Sequence, residues 1–158
     1  MSSAPEQRLA RLGLTLPEAP APLAAYVAAV RDGDHVWTSG QLPLVEGKPM
    51  ATGLVGDHGF DKVSPEQAAA CARVCALNAL AAVRGVVGDL ANVTQVIKVV
   101  VYVASAPGFT GQPAVANGAS ELFGEVFGDL GRHARSAVGV LSLPLGAPVE
   151  LDLVVRAV

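Results

Sequence analysis

The segment Arg135 to Val158, RSAVGVLSLPLGAPVELDLVVRAV, reads as two strands, and it carries charge where a strand should be apolar. Side chains alternate between the faces of a strand. Glu150, Asp152 and Arg156 therefore fall on one side, and Val149, Leu151, Leu153 and Val155 on the other. The apolar row requires a core; the acidic row requires water, a partner subunit or a ligand. In the strand before it, Ala134 to Val140, one face holds Arg135, Ala137 and Gly139 and the opposite face Ser136, Val138 and Val140. A lone arginine followed by two very small residues sets a basic group beside a hollow.

The 158 residues make one ordinary domain, long enough to bury a core without disulfides or metals. No apolar run approaches the ~20 residues that span a bilayer. The N-terminus, MSSAPEQRLARLGL, mixes charges of both signs and has no apolar h-region, so a soluble, cytoplasmic protein that does not engage the membrane is expected. The net charge is −3 without a basic cluster, which argues against nucleic-acid binding, since that rests on clustered Lys and Arg neutralising phosphates. Cys71 and Cys75 lie four apart on an expected helix and share a face. No second Cys/His pair supplies the rest of the roughly four ligands of a zinc site. They read as small buried helix residues, and no metal is expected.

In chain order, Pro5 to Leu12 forms a short helix stopped by Gly13, and the three prolines of Leu16 to Pro22 favour an extended linker. Ala24 to Val30 and His35 to Thr38 are short β-type runs joined by RDGD, a hairpin signal. Ser39, Gly40, Gln41, Leu42 and Pro43 end the second run, where glycine admits close approach to the backbone but also marks plain turns. Val45 to Val63 is a Gly-rich loop with a short strand at Thr52 to Val55, and its Asp57–His58 pair reads as solvated surface. Ser64, Pro65 and Gln67 start a helix that runs to about Arg84, ending before Gly85. In Thr94 to Val103, Ile97, Val99, Val101 and Val103 share one face and Val96, Lys98, Val100 and Tyr102 the other. A strand apolar on both sides is covered on both. Two long helices, the second after Pro113 with Val115, Leu122, Phe123 and Val126 facing inward, cover one face. The other face is expected to meet another copy of the chain. The order ββ(β)αβαββ is α+β, a single domain with a mixed sheet and two helices packed on one face.

The closing segment resembles that of the YjgF family, the reactive-intermediate (enamine/imine) deaminases also labelled L-PSP endoribonuclease-like. Arg135 opens its first strand, Leu143 and Pro144 make the turn, and Glu150 stands near the start of the last strand, matching the family in type and spacing. Tyr26 stands where the family has a first-strand tyrosine, Ser39, Gly40 and Gln41 repeat its SGQ turn, and Asn117 in AVANGASELF stands at its helix asparagine. The resemblance covers roughly Ala24 to the end. It implies a chorismate-mutase-like domain over residues 24–158, after an extension and Pro-rich linker over 1–23, and a homotrimer with ligand clefts between subunits. Ala24-Ala25 replaces the family's Gly-Pro, and Ala137 stands where a cysteine is often found. The extended N-terminus and the Val45 to Val63 loop depart from the compact pattern as well.

The implied ligand is a small carboxylate, a 2-imino or 2-oxo acid, and the implied reaction is hydrolysis of 2-imino or 2-enamino acids to 2-oxo acids and ammonia, without a cofactor. Arginine's fork binds a planar carboxylate at two points. Glu150 would orient or deprotonate the attacking water, and the Gly40 region would offer a backbone N–H. Arg135 and Glu150 are thus the expected catalytic pair, with Tyr26, Ser39, Gly40 and Asn117 as substrate-binding residues. A plain salt bridge between the strands is the structural alternative for that pair. At the level of function the alternatives are a non-catalytic trimeric carboxylate-binding protein and an endoribonuclease. The acidic charge and the lack of a basic-aromatic patch weigh against the latter.

Overall fold

The structure, a computed structural model, describes residues 3–19 and 25–158. The expected linker and the start of the expected first strand at Ala24 lie partly outside the described residues. That strand, β1, is Ala29–Asp32 and pairs antiparallel with β2, His35–Thr38, across a turn at Gly33 and Asp34. Tyr26 accordingly precedes the first strand rather than lying in it. In the loop that follows, Leu44–Val45 (β3) and Lys48–Pro49 (β4) form a small separate hairpin. The expected strand at Thr52 to Val55 shrinks to single bridges from the buried Val55 to Val63 and to Ser105. Asp57 and His58 are exposed.

Helix α1, Ala4–Arg11, is not a loose appendage. Leu9 is buried in the core, Arg8 Nη1 donates to Val126 O at 2.8 Å, and Glu6 pairs with Arg84 at 2.8 Å. Helix α2, Pro65–Val87, begins as expected: Ser64 Oγ accepts from Gln67 N–H at 3.1 Å, with proline in the first turn. It does not stop at Gly85. A glycine inside a helix costs only about 1 kcal/mol relative to alanine, less than is gained by continuing far enough to bury Val87. The stop is Gly88, whose φ of 80° ends the helical path. By length and composition α2 is apolar enough to cross a membrane, which corrects the expectation that no such stretch exists. In this fold it is the core helix, with Ala68, Cys71, Ala72, Cys75, Ala76 and Ala79 buried.

Strand β5, Val93–Ala104, pairs antiparallel with β7, Val149–Ala157, and parallel with β6, Ala134–Val140, giving a mixed sheet in the order β1-β2-β7-β5-β6. Register shifts between Val96 and Lys98 mark a bulge that corrects the expected faces of β5. Val96 joins Val99, Val101 and Val103 in the core, and Ile97 is left only partly buried. Helix α3, Gln112–Phe127, buries Val115, Leu122, Phe123 and Val126 as its pattern requires. It lies so close to α2 that a Cβ on Gly118 would overlap the backbone carbonyl of Ala69.

α2 and α3 cover one face of the sheet, where Val36, Val99, Val101, Val103, Leu151, Leu153 and Val155 are fully buried. Burial of each such side chain stabilises the fold by about 1.5–3 kcal/mol. The other face has no cover from its own described chain: Trp37 is 51% and Val138 44% exposed, and Lys98, Val100, Tyr102, Glu150 and Asp152 are only partly buried. The fold is α+β, as expected, with α1 as a third helix.

Candidate functional site

Arg135 sits on β6, the edge strand, paired with Val99 of β5, which in turn pairs with Leu153 of β7. Paired residues point to the same side, so Arg135 faces the helix layer. There its Nη1 donates to Asn117 Oδ1 at 2.7 Å and to Ser120 Oγ at 3.2 Å, both on α3. Both protons of that nitrogen are engaged by neutral partners, and among the described residues Arg135 makes no ion pair. The Nε–Nη2 edge is the pair of donors that suits a carboxylate. The guanidinium is therefore aimed and uncompensated. The hollow expected along Arg135, Ala137 and Gly139 is partly filled, because Gln112 Nε2 and Ser105 Oγ lie against Gly139 and hydrogen-bond each other at 3.1 Å.

Glu150 pairs with Tyr102, and Tyr102 with Val138, which places it on the open face. The Ser39-Gly40-Gln41 turn is tied down beside it. Gln41 exchanges both backbone hydrogen bonds with Leu151 at 2.8 and 3.0 Å, and Gln41 Nε2 donates to Ser39 O at 3.0 Å. Gly40 leaves room for the Glu150 carboxylate, whose end a Cβ there would displace. Ser39 Oγ donates to Val27 O at 2.6 Å and so holds the segment that carries Tyr26, itself 57% exposed. Asp152, two residues along the same face, accepts from Tyr102 OH at 2.8 Å. Burial, and then the charge of Asp152, raise the Glu150 carboxyl above its ordinary value. The Tyr102 phenol is pushed up to about 12, first by its hydrogen bond to Asp152.

The expected residues thus form two groups, Arg135 with Asn117 and Glu150 with Gly40, with Ser39 and Tyr26 adjoining the second. Arg135 and Glu150 lie on opposite faces of the sheet with β5 between their strands, so within one chain Glu150 does not reach the hollow beside Arg135. This separation also removes the salt bridge between the two strands. Among the described residues, concavities of about 250 and 400 Å³ lie between residues 6–19 and the C-terminal end of α2, away from both groups.

Residues 6–155 match the model of the YjgF/chorismate mutase-like endoribonuclease family. The chain belongs to the YjgF family. Among its relatives is the protein TCP17 of Trypanosoma cruzi, 45% identical over 149 residues, covering 94% of this chain and 91% of that one. A 2-iminobutanoate/2-iminopropanoate deaminase of Dermatophagoides farinae is 30% identical over 143 residues, covering 90% and 93%. The crystal structure of an Agrobacterium tumefaciens protein of unknown function, 44% identical, superposes with a TM-score of 0.88 over 98% of this chain and 94% of that one.

This YjgF-family chain carries polar groups at the site that the sequence reading passed over. Ser120 Oγ lies 2.9 Å from His133 Nε2, and His133 Nδ1 lies 2.6 Å from Gly131 O. Their spacing was the available signal: Ser120 is three residues after Asn117, on the same helix face, and His133 is two before Arg135, in the lead into β6. Cys71 and Cys75 are buried free thiols, and burial raises both, Cys75 well above its ordinary value.

Proposed function

We propose that the protein hydrolyses small 2-imino or 2-enamino acids to 2-oxo acids and ammonia, in a cleft formed where the Arg135 face of one copy meets the Glu150 face of another. The observation that carries this reading is the guanidinium of Arg135, fixed through Nη1 by neutral partners and without an ion pair among the described residues. Such a group is built to receive a carboxylate. Across the cleft, Glu150 supplies a carboxylate whose proton affinity is raised by burial and by Asp152, which suits a group that takes a proton from water near neutral pH. Asn117 holds the clamp, while Gly40, Ser39 and Tyr26 shape the second wall. The uncovered sheet face supports assembly, and a homotrimer is the proposed form. The similarity to an imine deaminase at 30% identity points to the same chemistry.

The test generates 2-iminobutanoate in situ and follows 2-oxobutanoate or ammonia release above the spontaneous rate. Acceleration is expected, and light scattering should return a trimer. Arg135→Ala and Glu150→Gln proteins, each inactive alone, should regain activity when dissociated and reassembled together, because some clefts then combine an intact Arg135 with an intact Glu150. No acceleration by the unaltered protein, with 2-oxobutanoate still bound, would make it a carboxylate-binding protein.

A further inference from the structure

The group around Arg135 contains a second acid–base device. His133 Nδ1 lies 2.6 Å from the carbonyl oxygen of Gly131, so that nitrogen must carry a proton. Nε2, 2.9 Å from Ser120 Oγ, is then the only ring nitrogen free to change state. Arg135 Nη1 donates to the same hydroxyl oxygen at 3.2 Å. These three contacts fix the direction of the Ser120 proton. With His133 neutral, the Ser120 hydroxyl donates to Nε2. With His133 protonated, Nε2–H donates to Ser120 Oγ, and the hydroxyl proton is released toward the pocket beside the guanidinium. The ring is held for this by Phe123, edge-on at 5.7 Å and 87°.

We propose that Ser120 and His133 form a proton relay that delivers a proton to the leaving nitrogen of a ligand clamped by Arg135. The proposal rests on the deaminase reading and assigns a second acid–base group to the same cleft. Water adds to the imine carbon, Glu150 taking one of its protons and handing it to the nitrogen, which gives a neutral carbinolamine and leaves Glu150 ionised. Ser120 then passes its hydroxyl proton to the nitrogen and takes the Nε2 proton of His133. The C–N bond breaks with its electron pair on ammonia, the O–H pair of the carbinolamine becomes the second bond of C=O, and that proton goes to Glu150. His133 regains a proton from solvent and Glu150 releases one, which restores the starting state. No co-reactant beyond water is needed.

Beside His133, Arg135 follows two residues on in β6, and in the preceding turn Asp129 and Arg132 pair at 3.7 Å in full exposure. From α3 it meets Ser120 and Phe123. Lys98 of β5 turns to the other face, where its Nζ bonds Ser136 Oγ at 2.9 Å.

The test uses the unaltered chain and two variants. His133→Asn keeps a donor for Gly131, and Ser120→Ala removes the hydroxyl with minimal disturbance. Both should lose about 100-fold in kcat and one limb of the kcat–pH profile; His133→Asn should retain 2-oxobutanoate affinity, and Ser120→Ala, which also removes one partner of Arg135 Nη1, should weaken it by less than about ten-fold. Ring ¹⁵N shifts should report the Nδ1–H tautomer for neutral His133, and 2-oxobutanoate should move its titration upward. A profile of unchanged shape in both variants overturns the relay, as does loss of affinity or stability without loss of kcat. If the unaltered protein accelerates nothing, the deaminase reading fails and the ¹⁵N titration decides alone. A midpoint that the ligand raises keeps the relay coupled to the pocket, and one that it leaves in place overturns it.

Discussion

The same five-stranded sheet carries a cation on one face and a carboxylate on the other, and the fold treats them in opposite ways. Arg135 is held by neutral partners, an amide oxygen and a hydroxyl, so its charge is positioned without being neutralised. Glu150 is pressed by burial and by a second carboxylate, so its charge is resisted. One half asks for an anion and the other for a proton, and neither can satisfy the other within a chain because a strand separates them. A charged side chain that its own fold does not compensate is a request for something outside the chain.

The widest break in this comparison comes from Glu150→Gln. It preserves size and most ligand affinity, and turnover should fall about 100-fold to 10,000-fold; equal turnover would remove Glu150 from the chemistry. Arg135→Lys breaks the other half. An ammonium cannot reproduce the two-point contact, so 2-oxobutanoate binding by calorimetry should weaken by about 1.5–3 kcal/mol while thermal stability holds. Gly40→Ala sharpens the comparison, because the added Cβ meets the mobile end of Glu150 rather than backbone. Stability should barely change, while kcat drops roughly ten-fold through displacement of the carboxylate. Tyr102→Phe deprives Asp152 of its donor and should cost about 1 kcal/mol in urea unfolding, with catalysis little altered.

The smallest effect is a shift with pH. The Glu150 carboxyl is raised in the folded chain, so the folded state holds that proton more tightly than the unfolded state. Its contribution to stability is present below the unfolded carboxylate value and is lost as pH rises through the folded one. Asp152→Asn retains an acceptor for Tyr102 but removes the repelling charge. Stability near neutrality should rise slightly, and the acid limb of the kcat–pH profile should move to lower pH.

Much of this fold was legible because its signals are local. The alternation in β7, the Ser64 cap and the inward row of α3 each depend on neighbours within a few residues. What escaped depends on partners far along the chain. Alternation put Arg135 with Ala137 and Gly139, and Glu150 with Asp152. Which rows share a sheet face, however, is set by the pairing of Val99 with both Arg135 and Leu153. The bulge near Ile97 exists only relative to β7, and the run of α2 past Gly85 reflects burial that propensity alone does not count. The candidate residues were individually recognisable by resemblance, but their division between two faces was not.

Gly118 lies between Asn117 and Ser120, the two residues that aim the arginine, at the point where α3 rests on the backbone of α2. A methyl group there would have no flexible neighbour to push aside, so the helix itself would have to lift and carry both partners with it. The bearing of the guanidinium is thus set by a missing side chain between the two helices, as a hinge pin sets the swing of a door. Variation at position 118 would be read as a change in ligand preference, although no atom of that residue reaches the ligand.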